Sequence, residues 1–199
     1  MVDSCRLYRN LYDIIHPSIS RKNISNYKII FNDNLIPVRI FYPNKDTKLG
    51  RIIIYIHGDK INDKVYEEMA KRTNSIVIFL EYRKEKIEAD CDHMIEYLLK
   101  GLKECNIPLE NVLLMGDDIE SDFLLHLGDV DPIKKIFIMP KLNLEEKLNI
   151  NNTMIITEDN KIEESDYIYK IDERLDDFIL HNNITLNEKI YRIINKVVG

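Results

Sequence analysis

Five short runs in this chain are almost wholly apolar and rich in β-branched residues: 51–56 (RIIIYI), 75–80 (SIVIFL), 112–115 (VLLM), 135–139 (KIFIM) and 153–157 (TMIIT). A strand with one face in water alternates apolar and polar residues, because successive side chains point to opposite faces. A run apolar at every position is buried on both faces, which is the situation of a central strand in a parallel sheet covered by helices. This feature excludes all-helical folds and sandwiches that wet one face of each sheet.

The segments between the runs supply the helices. Residues 63–74 place Val65, Met69 and Ala70 on one helical face, and 87–105 does the same with Ile95, Leu98, Leu99 and Leu102. Helices are also predicted over 119–127 and 186–197, and a further strand over 166–171. Near the start, 27–31 (YKIIF) and 36–42 (IPVRIFY) flank Asn32-Asp33-Asn34, which reads as a hairpin of two antiparallel strands at one edge. Residues 1–25 are expected to form an N-terminal helical segment, with Leu7, Leu11, Ile14 and Ile15 at helical spacing before Pro17. The predicted class is therefore α/β: a mostly parallel open sheet with helices on both faces, joined by right-handed crossovers, with an antiparallel N-terminal edge hairpin. A length of 199 residues suits a single domain spanning 1–199.

Composition narrows the function classes. A formal charge of −6 and a pI near 5.4 argue against nucleic acid or an anionic membrane as the main partner. Cys5, Cys91 and Cys105 are odd in number and lack CxxC spacing, so neither a disulfide framework nor a thiolate zinc site is expected. Cys91 and Cys105 fall on one helix with no cation placed to activate a thiol. With no signal-like leader and no run near the ~18 apolar residues a span requires, a cytoplasmic protein without a membrane span is expected. No cofactor and no metal site is predicted.

In open parallel sheets the chemistry sits beyond the carboxyl ends of the strands. Three such ends stand out: His57-Gly58-Asp59-Lys60, Gly116-Asp117-Asp118-Ile119-Glu120 and Thr157-Glu158-Asp159. The ordered series IPVRIFYP, RIIIYIHG, SIVIFLEYR, ENVLLMGDD and KKIFIMPKL resembles the α/β-hydrolase fold, and within it the esterase/lipase group related to hormone-sensitive lipase. The resemblance covers residues 27–160. It implies a Ser in a sharp Gly-x-Ser-x-Gly turn, backbone donors after an HGGG-like segment, an acid, and a late His.

The chain departs from that pattern at nearly every point. The elbow reads Gly116-Asp117-Asp118-Ile119-Glu120, so the nucleophile position holds Asp118. The oxyanion loop reads His57-Gly58-Asp59, and the late His position holds Asp176. A carboxylate is not activated by proton removal as a hydroxyl is, and without an imidazole nothing carries a proton to the leaving group. Asp59 brings negative charge where an oxyanion would form, and Glu120 replaces a residue kept small for close helix–strand approach. No lid segment intervenes after Arg83 or after Met139-Pro140.

The sequence thus predicts an esterase/lipase-like domain with its Ser-His-Asp triad lost, acting as a binding module for a small molecule or a protein partner. An active alternative uses Asp118 as nucleophile and His181 as base, with Asp159 a further candidate catalytic residue, in the manner of fold members that form an ester on Asp. A second alternative gathers Asp59, Asp117, Asp118, Glu120, Asp122 and Asp176 as oxygen ligands of a hard cation. The plainest role for Asp118 is capping the helix that follows it. Ser121 falls too far into that helix to serve as nucleophile, and His16, His93 and His126 lack matching partners.

Overall fold

The computed structural model describes residues 24–31, 34–43, 51–56, 63–80, 87–117, 124, 133–138, 153–157, 168–170 and 184–198. They form eight strands: β1 (Ile24–Phe31), β2 (Asn34–Phe41), β3 (Arg51–Ile56), β4 (Ser75–Leu80), β5 (Val112–Asp117), β6 (Lys134–Ile138), β7 (Thr153–Thr157) and β8 (Ile168–Lys170). Three α-helices lie between or after them: α1 (Asp63–Thr73), α2 (Ile87–Glu104) and α3 (Ile184–Val198).

The strands make one sheet in the order β1-β2-β4-β3-β5-β6-β7-β8. β3 through β8 pair in parallel, and β2 runs against both β1 and β4. The hairpin pairs from Ile24↔Phe41 to Phe31↔Asn34, so two residues turn the chain. β1 starts three residues and β2 two residues before the sequence reading, β2 stops at Phe41 rather than Tyr42, and β1 takes in Ile24 and Ser25 of the segment 1–25. The remainder of that segment lies outside the described residues.

Side-chain alternation along the buried strands divides the core into two layers. Ile52, Ile54, Ile76, Ile78 and Leu114 face one side, where Met94, Ile95, Leu98 and Leu102 of α2 cover them. Ile53, Tyr55, Val77, Phe79 and Ile136 face the other, beneath Val65, Tyr66 and Met69 of α1 and Ile190, Tyr191 and Ile194 of α3. Helices therefore cover both faces, as continuously apolar strands require. On the α1 side Phe41, Tyr55, Tyr66 and Phe79 pack as tilted rings, with Tyr66 centred 5.5, 5.4 and 5.2 Å from the other three respectively.

Two helix ends explain how the chain reverses so tightly. Asn74 after α1 and Asn106 after α2 have φ of 50° and 58°, the left-handed region that Asn tolerates better than most residues. After α2 the amides of Asn106 and Ile107 donate to the carbonyls of Lys103 and Leu102, both at 3.0 Å, which closes the helix in a Schellman motif. After α1 a single left-handed residue separates the helix from β4. Among the described residues no helix is long and apolar enough to cross a membrane.

Candidate functional site

The strand order fixes where a crevice opens. From β3 the chain crosses by α1 to β4 on one side, then returns by α2 on the opposite face to β5 on the other side. The β3/β5 boundary is thus where the winding reverses, and the space beyond the carboxyl ends there is the natural ligand crevice of an open α/β sheet. Ile56, the last residue of β3, pairs with Gly116 of β5 and Leu80 of β4.

β5 runs one residue further, through Asp117, which pairs with Ile138 at the end of β6. Gly116 leaves no side chain between Ile56 and Phe137 at this level of the sheet. Asp117 lies two residues beyond Met115 and so projects on the same α1/α3 face. It is 7% exposed, and it interacts with the rest of the protein. A carboxylate buried to this extent needs such partners, since an unpaired charge out of water is very costly.

The remaining sequence-predicted positions fall in segments that follow described strands. His57, Gly58 and Asp59 come after Ile56, and Asp118, Ile119 and Glu120 come after Asp117. Asp159 is two residues past the end of β7, while Asp176 and His181 fall between β8 and α3. All of these lie outside the described residues. Their segments nonetheless leave from one edge. Lys134 Nζ, at the amino end of β6, donates to the carbonyl of Val197 at 2.7 Å, so the last turn of α3 sits at the amino edge of the sheet. α3 therefore starts from the carboxyl side, where β8 ends.

Contacts absent from the sequence reading frame this edge. Arg39 of β2 donates from Nη1 to Asp63 Oδ1 at 2.6 Å, joining the sheet to the first residue of α1. The signal was present, since Arg39 is the one charge in IPVRIFY, but its partner is 24 residues away. Tyr191 of α3 donates its hydroxyl to the carbonyl of Val65 at 3.1 Å. Burial, reinforced by the carboxylates of Glu68 and Glu188 and opposed by Arg72, holds the Tyr191 phenol well above its usual range. Burial, with the nearby Glu104 carboxylate, also pushes the Cys105 thiol up, away from reactivity. Among the described residues no group of three or more His, Cys, Asp or Glu is placed to hold a metal ion.

No model of a protein family matches the sequence, and no protein of curated function does. Solved structures do. A hyperthermophilic esterase from the archaeon Pyrobaculum calidifontis superposes with a TM-score of 0.51 at 16% identity, over 71% of this chain and 53% of that one. The Francisella virulence factor BioJ gives 0.50 at 16% identity, over 74% and 55%. An arylesterase gives 0.50 at 15% identity, over 73% and 53%. The chain spans about half the length of these structures. With the strand order and the two helical layers, the likeness establishes the architecture: this chain has an α/β-hydrolase-like fold.

Proposed function

We propose that the chain is a shortened, lid-less relative of the esterase/lipase group related to hormone-sensitive lipase, one domain over 1–199, whose serine triad has been lost. In this reading it binds a small molecule or a protein partner at the carboxyl edge of its sheet and does not turn over esters. The observation that carries it is the end of β5. The strand finishes at Gly116-Asp117 beside β3, and the next residue in the chain, at the nucleophile position of this fold, is Asp118. Asp59 in the segment after β3 and Asp176 in the segment before α3 add to the case, since neither supports acyl transfer. A cytoplasmic setting goes with this reading, on the odd and unspaced cysteines.

A second reading has one observation in its favour. The segment carrying His181 joins the end of β8 to the start of α3, both on the carboxyl side, which is also where Asp118 leaves β5. In that case an Asp118 carboxylate oxygen attacks the substrate carbon, the leaving group departs, and water activated by His181 hydrolyses the ester. Assaying the purified chain with short-chain p-nitrophenyl esters, haloalkanes and epoxides separates the two. The binding reading expects no turnover above buffer with any of them. Turnover that Asp118→Asn abolishes would establish the active reading instead.

A further inference from the structure

We draw no further inference here: the strongest candidate, the outer edge of β1, which among the described residues pairs with β2 on one side and with no strand on the other, carries none because nothing in the structure shows what covers it.

Discussion

A hydroxyl and a carboxylate at the end of β5 differ in what a base can make of them. The hydroxyl becomes a strong nucleophile when its proton is taken, while the carboxylate is already ionised and has no proton to give. That difference gives Asp118 its weight, and it is a difference of one residue. Single side chains also set the behaviour of the described structure with pH. The folded-state pKa of Tyr191 lies above the ordinary value of 10.0. Its contribution to stability is therefore complete below that ordinary value and is lost as pH rises from there through the folded value. We predict that denaturant-measured stability falls in alkali more steeply for the unmodified chain than for Tyr191→Phe. Near neutral pH the same substitution should cost about 1 kcal/mol, from the lost bond to the Val65 carbonyl.

At the scale of elements, α3 is held by both polar and apolar contacts, and magnitudes decide between them. Arg72 Nη2 lies 2.7 Å from Glu188 Oε1, and Asn195 Nδ2 donates to the Arg72 carbonyl at 3.1 Å. Lys196 also bonds to the Tyr169 hydroxyl and lies over that ring. Arg72 is 56% exposed, and pairs of this kind contribute under ~1 kcal/mol. Ile194 is fully buried among apolar side chains, where truncation costs ~2–5 kcal/mol. Chemical denaturation should rank Ile194→Ala well above Glu188→Gln in lost stability. A reversed order would mean that polar contacts hold the helix. The elements legible in the sequence were those that apolar packing specifies. β3, β4 and β7 begin and end where their apolar runs do, and α1 and α2 end within a residue of the expected place. The differences arise where backbone pairing or helix propagation outlasts the apolar pattern. β5 continues past Met115 because Gly116 and Asp117 still pair with β6. β6 starts at Lys134, one residue early, and α3 takes in Ile184 and Thr185. Within the expected strand 166–171 the described residues give β8 as Ile168–Lys170, and the rest of that stretch lies outside them. Of the expected elbow, Gly116 and Asp117 are the last two residues of β5, and Asp118, Ile119 and Glu120 lie outside the described residues. The Arg39–Asp63 and Tyr191–Val65 contacts were illegible because no local pattern links partners 24 and 126 residues apart.

For the whole molecule, the sheet order sends the segments that carry the candidate positions off one edge, and Asp59, Asp117, Asp118, Glu120, Asp159 and Asp176 among those positions are acidic. A hard-cation site would draw on that character. The binding reading predicts that millimolar Mg²⁺ or Ca²⁺ leaves the melting temperature unchanged, whereas a bound ion would raise it. Fold alone does not carry activity, since the same scaffold hosts many functions. The central claim is that the scaffold survives here without a serine nucleophile. Incubation of the pure chain with a fluorophosphonate probe, followed by intact-mass analysis, tests that claim most directly. The account predicts no adduct at any time point, and rapid stoichiometric labelling of one serine would contradict it.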